Sequence, residues 1–144
     1  MRRTYLTLIF ACLLSVSFAQ DKINWPFLAD VQYSYIQNYD ANVWYGTPSF
    51  GEAIQALDGK EVIIKGYVLP LDVDGNQYVL SANPFNTCFF CGGAGQESVM
   101  ELRLDKKRRK YETDQVVTFI GTLRLNDAEL ELNYILENAR PYEG

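Results

Sequence analysis

A small, mainly β domain is the fold class this chain predicts: a five-stranded Greek-key barrel of the OB type, preceded by one short helix. Three observations predict it. Five segments alternate apolar and polar side chains with period two, turn-forming residues separate them, and one long connection carrying Cys88 and Cys91 lies between the second and third. Closing such a sheet buries one face of every strand and removes most open edges, which the alternation requires.

The chain begins with a targeting pattern. Arg2 and Arg3 give a positive start, Leu6 to Val16 form an apolar stretch, and Ser17-Phe18-Ala19 before Gln20 fits the small-x-small cleavage rule. The run is too short to span a bilayer comfortably, so residues 1–19 are expected to be removed, with no membrane span left behind. Cys12 follows Ile9-Phe10-Ala11, a poor lipidation context, and the apolar run continues past it. The expected product is residues 20–144, periplasmic or secreted, in a compartment where disulfides persist.

Residues 20–46 form an aromatic lead-in with Trp25, Phe27, Tyr33, Tyr35, Tyr39, Trp44 and Tyr45. Val31, Tyr33 and Tyr35 alternate briefly, as a short strand would. The rings are expected to pack onto the domain rather than to build a ligand cage. The barrel domain is expected over 47–144. A helix follows Thr47-Pro48 or Ser49 as cap, with Ser49 and Glu52 at capping-box spacing; Phe50, Ile54 and Leu57 share a face and Asp58-Gly59 ends it. From Lys60 the first barrel strand places Val62, Ile64, Gly66 and Val68 on one face, and Pro70 marks its end. Asp72-Val73-Asp74-Gly75-Asn76 turns the chain into Gln77–Ser81; no downstream glutamate completes a calcium loop. Ser98–Leu104, Val116–Leu125 and Leu130–Leu136 are the remaining strands, the last two joined at Asn126-Asp127. Asp105-Lys106-Lys107-Arg108-Arg109-Lys110 reads as a solvated basic loop.

Composition excludes several function classes. The chain has 13 basic and 18 acidic side chains, net −5; removal of Arg2 and Arg3 with the leader takes this to −7. An acidic domain repels phosphate backbones, so no nucleic-acid partner is expected. The chain has no histidine, the commonest general base, and no serine–histidine arrangement, paired carboxylates or phosphate loop. Hydrolase and transferase chemistry are therefore not expected, which leaves thiol chemistry as the one enzymatic reading still open.

Soft-ligand or sulfur chemistry must pass through Cys88-Phe89-Phe90-Cys91-Gly92-Gly93-Ala94-Gly95. The two-residue spacer permits a structural disulfide pinning an interaction domain. It is also the spacing of a thiol–disulfide oxidoreductase, although no helix start or basic neighbour is at hand to acidify a thiol. Two thiolates make half of a zinc site; completion would need oxygen ligands, Glu97 being the candidate, or a second copy of the loop across a homodimer. Two thiolates with open positions also suit copper(I). The glycines either turn the chain or present N–H groups to an anion, and turning is the simpler use.

The pieces Phe50-Gly51-Glu52, Leu57-Asp58-Gly59-Lys60-Glu61-Val62, Gly66-Tyr67-Val68-Leu69-Pro70-Leu71, Cys88-Phe89-Phe90-Cys91-Gly92-Gly93 and Glu97-Ser98-Val99-Met100-Glu101 together resemble a family of uncharacterised, exported, OB-like bacterial proteins known as a domain of unknown function. A related branch carries Cys-x-His in the corresponding loop. The resemblance implies a shared capacity to ligate metal, carried here only by Cys88 and Cys91. The combined expectation is an accessory module of the cell envelope that holds zinc through Cys88, Cys91 and Glu97, with an envelope protein as a further partner.

Overall fold

The structure, a computed structural model, describes residues 20–144 apart from 40–41, 73–76, 107–109 and 129–130, and leaves aside the side chains of Asn38, Tyr45 and Phe89. The leader, most of the Asp72–Asn76 turn, part of the basic loop and Leu130 therefore lie outside the described residues.

In chain order the elements are β1 (Asp21–Lys22), α1 (Trp25–Leu28), β2 (Val31–Asn38), β3 (Val43–Phe50), α2 (Glu52–Gln55), β4 (Glu61–Pro70), β5 (Tyr78–Ser81), β6 (Val99–Leu104), β7 (Gln115–Leu125) and β8 (Tyr134–Pro141). β4 to β8 close on themselves in the order β4-β5-β6-β8-β7, because β4 pairs with β5 through its last residues and with β7 through Glu61–Val68. The β6–β8 pairing is parallel and the other barrel pairings are antiparallel, as an OB-type Greek key demands when its last hairpin folds back between the first and third strands. β1 adds in parallel to the start of β4.

Alternation explains the core. Val62, Ile64 and Val68 of β4, Leu80 of β5, Met100 of β6, Phe119 and Leu123 of β7 and Leu136 of β8 are fully buried in one interior cluster. Leu28 and Ile54 join it from the two short helices, so α1 and α2 serve as plugs for the barrel. Asn24 caps α1, its Oδ1 accepting from the Phe27 N–H at 2.9 Å.

Three expectations are corrected. Thr47, Pro48 and Ser49 do not cap α2; they are committed to the β2–β3 ladder, and Gly51 occupies the cap, its N–H donating to the Asp30 carbonyl at 2.8 Å. The turn after α2 is as expected, with Gly59 at φ +77°, a conformation glycine enters without strain. The final strand runs over 134–141 rather than 130–136; it outlasts its apolar pattern because the β7–β8 register shifts between Ile120 and Thr122 and Asn138 takes φ +52°, breaking the alternation. Finally, the aromatic lead-in divides. Trp25 and Phe27 pack against the core, whereas β2 and β3 form a separate two-stranded sheet bearing exposed rings.

Tyr134 ties the hairpin base to the barrel. It is fully buried, its hydroxyl donates to the Leu28 carbonyl at 2.7 Å, and its ring lies 5.5 Å from that of Phe50. Burial pushes its phenol well above the ordinary value, and the charges of Tyr33, Glu97 and Asp30 add to this. Burial does the same to Tyr33, with Glu97 the next cause. A raised tyrosine contributes stability that is intact below the unfolded value of about 10 and is lost as pH climbs through the folded one. Tyr134→Phe should therefore be less stable at neutral pH by about 1–3 kcal/mol, because the Leu28 carbonyl loses its donor. That deficit should shrink above about pH 10, where only the wild type bears the cost of ionising Tyr134. Tyr33→Phe removes a buried hydroxyl with no hydrogen-bond partner among the described residues, so it should be neutral or stabilising. Denaturant melts of the three proteins across alkaline pH check both outcomes.

Candidate functional site

The connection between β5 and β6 is a chain of tight turns sealed at its neck by the Ala82 N–H donating to the Ser98 carbonyl at 2.9 Å. Pro84 starts a 3-10 turn over Phe85–Thr87, and the Phe85 N–H is held by Asp114 Oδ1 at 2.7 Å, which fastens the loop to the residues ahead of β7. A second turn, Phe89–Cys91, closes on the Cys88 carbonyl, which accepts from Cys91 N–H at 3.2 Å and Gly93 N–H at 3.1 Å. Gly92 takes φ +72°, and a β-carbon on Gly93 would meet the Thr87 carbonyl oxygen at 2.6 Å. The glycines thus turn the chain; the Gly93 N–H is committed to Cys88 and not offered to an anion.

This folding places the two cysteines differently. Cys88 is 0 % exposed, packed with Leu69, Val79 and Val99 in a small cluster of its own, with Leu132 against it. Those residues alternate with the barrel-core positions Val68, Tyr78, Leu80 and Met100, so the cluster lies on the other face of the sheet, beneath the loop. Cys88 acts there as a small apolar plug. Cys91 is exposed, and its Sγ donates to the Phe85 carbonyl at 3.0 Å. Both are free thiols and interact with each other. The Cys91 thiol is pushed up, first by loss of hydration and then by the charge and hydrogen bond of Cys88. An attacking thiolate needs the reverse, a thiol acidified by positive surroundings.

Among the described residues no group of three or more His, Cys, Asp or Glu side chains is placed to hold an ion. The Glu97 carboxylate lies back over Gly95, and its charge acts on Tyr33 and Tyr134 at the hairpin base. The sequence brings Glu97 within six residues of Cys91, but the 3-10 turn over Gln96–Ser98 faces it elsewhere. The tyrosines that feel its charge, Tyr33 and Tyr134, are far from it in sequence.

Open grooves lie away from the loop. One of ≈ 360 Å³ runs along Asp21–Asn24, Phe27, Ala53 and Leu57, and another of ≈ 370 Å³ along Pro48, Phe50, Gln55, Asp58, Leu125 and Asp127. Asp58 in the second is already engaged, accepting from the Leu125 N–H at 3.1 Å.

Fold and loop together define a class: a small closed five-stranded β-barrel carrying a two-thiol loop on its outside. No family model matches the chain, and no curated protein does. Among solved structures, the crystal structure of a DUF3299 family protein (PA4066) from Pseudomonas aeruginosa PAO1 is similar over 88% of this chain and 98% of that one, with TM-score 0.54 and 19% identity. That likeness shows a shared fold, and the neighbour's family is itself a domain of unknown function, in keeping with the resemblance read from the sequence. No helix among the described residues is long and apolar enough to cross a membrane.

Proposed function

We propose that this is an exported, non-catalytic accessory module of the cell envelope whose long loop is fastened by a Cys88–Cys91 disulfide. The observation that carries the reading is the asymmetric pair: one thiol sealed in an apolar cluster, one at the surface, adjacent and, among the described residues, without a third ligand. The turn closed by Cys91 N–H on the Cys88 carbonyl keeps the two Cα atoms within about 7 Å, the reach of a disulfide. On bond formation two S–H bonds break and one S–S bond forms. The two protons and two electrons pass to a disulfide of a thiol oxidant, which leaves as two thiols. By chain entropy a loop this small gains about 2 kcal/mol.

A second reading is favoured by the accessibility of Cys91: the pair holds a soft ion through two thiolates. With two protein ligands, copper(I) is served more readily than zinc, which would need oxygen ligands or a second copy of the loop.

One experiment separates the readings. Protein taken directly from the envelope is alkylated, and its intact mass is recorded with and without reduction beside its metal content; the Cys88→Ser/Cys91→Ser double variant is the control. The disulfide predicts no alkylation until reduction and equal metal in both proteins. Two thiols that alkylate without reduction, with metal lost only from the double variant, would establish the ion-binding reading instead. Free thiols with no metal would end both.

A further inference from the structure

The two sulfurs of the pair are not equally reachable, and that difference dictates the order in which they exchange with a thiol from outside. A thiolate displaces a disulfide sulfur in line, arriving from the side opposite the bond that breaks, so access to each sulfur decides which one is attacked. Behind Cys88 there is no room for such an approach. Its side chain is 0% exposed, and Leu69 of β4, Val79 of β5 and Val99 of β6 pack around it, with Leu132 against the same cluster. The loop is also held down over it, at the neck by the Ala82 N–H on the Ser98 carbonyl and further along by the Phe85 N–H on Asp114 Oδ1. Cys91, three residues on, is exposed. Both thiols are free in the structure, and in that state Cys91 has an acceptor at the surface: its Sγ donates at 3.0 Å to the carbonyl of the same Phe85 that Asp114 fixes. A Cys91 thiol released by exchange is therefore received by a hydrogen bond, and Cys88 returns to its apolar cluster as a neutral thiol.

We propose that thiol–disulfide exchange enters this pair at Cys91 alone, the reactant being a small-molecule thiol or its disulfide. The step rests on the disulfide reading of the pair and gives that bond its route of formation and loss. On oxidation, Cys91 gives its proton to water and the thiolate attacks a small disulfide. That S–S bond breaks, a mixed disulfide forms at Cys91, and one small thiolate leaves and is protonated. Cys88 then loses its proton and attacks the Cys91 sulfur. The mixed disulfide breaks, the Cys88–Cys91 bond forms, and a second small thiol departs, so two electrons have passed from the pair to the small disulfide. Reduction runs through the same steps backwards: the incoming thiol bonds to Cys91, and Cys88 is the sulfur expelled.

Two single variants and the wild type test this with glutathione disulfide as the probe. Cys88→Ala keeps a small apolar side chain in the cluster and leaves Cys91; Cys91→Ser leaves Cys88. Each folded, reduced protein is mixed with the probe, quenched with acid at intervals, and the modified cysteine is located by fragmenting its peptide. Cys91 should react about 100-fold or more faster than Cys88, which reacts only when the loop opens locally. In denaturant the two rates should converge. In the wild type the earliest quenched sample should carry glutathione on Cys91 and none on Cys88, a result that does not depend on how well either variant folds. Equal rates in the folded variants would overturn the proposal, as would an unreactive Cys91 or early wild-type adducts on Cys88. These rates are independent of the state of the pair in the cell: free thiols in native material would remove the disulfide reading and leave the order of attack still decided.

Discussion

Phe119→Ala is expected to lower the free energy of unfolding by about 3–5 kcal/mol, a large part of the roughly 5–15 kcal/mol that holds a domain together. Phe119 is fully buried on β7, opposite Ile64 on one side and Pro141 on the other, with its ring 5.5 Å from Tyr111. It therefore stands at the seam where β7 closes the barrel onto β4. Removing the ring subtracts its transfer free energy and leaves a hole. The strands around that hole are tied into a ring by backbone hydrogen bonds, so they cannot collapse into it as free helices would. The denaturant midpoint should fall with an unchanged slope. A loss below about 1 kcal/mol would mean that Phe119 does not sit in the interior described.

Gly66→Ala is the second large effect, and its sign is the informative part. At an ordinary strand position this exchange stabilises, because alanine has less freedom to lose on folding. Here the added β-carbon would lie 2.6 Å from the Ser81 carbonyl oxygen, 2.9 Å from Leu80 Cγ and 3.1 Å from Trp25 Cζ2. Backbone oxygen cannot swing aside as a side chain can. β4 is held at this point on both sides: Val117 of β7 pairs with Gly66 itself, and Ser81 of β5 with Tyr67. The strain also reaches α1, where the Trp25 indole N–H donates to the Lys65 carbonyl at 2.8 Å. A loss of about 1–3 kcal/mol is expected, with Trp25 fluorescence shifting to the red as the ring is displaced. An unchanged or higher midpoint would show that the barrel does not close around this glycine.

Much of the barrel is legible because its strands bury one face each. Alternation alone assigns Val62, Ile64, Gly66 and Val68 to one face, and all are buried. The long connection carrying the cysteines falls between β5 and β6, as the spacing of the strands predicts. The last strand continues past Leu136, where its pattern stops, because the bulge around Asn138 breaks the period on which such a reading depends. The hairpin is half visible: Val31, Tyr33 and Tyr35 hint at a strand, but Gly46 and Pro48 in the returning strand hide its partner. Glu97 is near the cysteines along the chain, and a single 3-10 turn is enough to face it toward two tyrosines instead.

By itself the sequence determines what is local. That comprises the period of each strand, the turn residues between strands, and the confinement of Cys88 and Cys91 to one loop. Tertiary structure decides the rest: which cysteine is sealed and which is exposed, which side chains surround Glu97, and which rings of the hairpin are left exposed. Periodicity is a property of neighbouring residues, so it can be read along a chain. Burial and electrostatic surroundings come from residues brought together by the closure of β4 on β7, and no local pattern encodes that meeting.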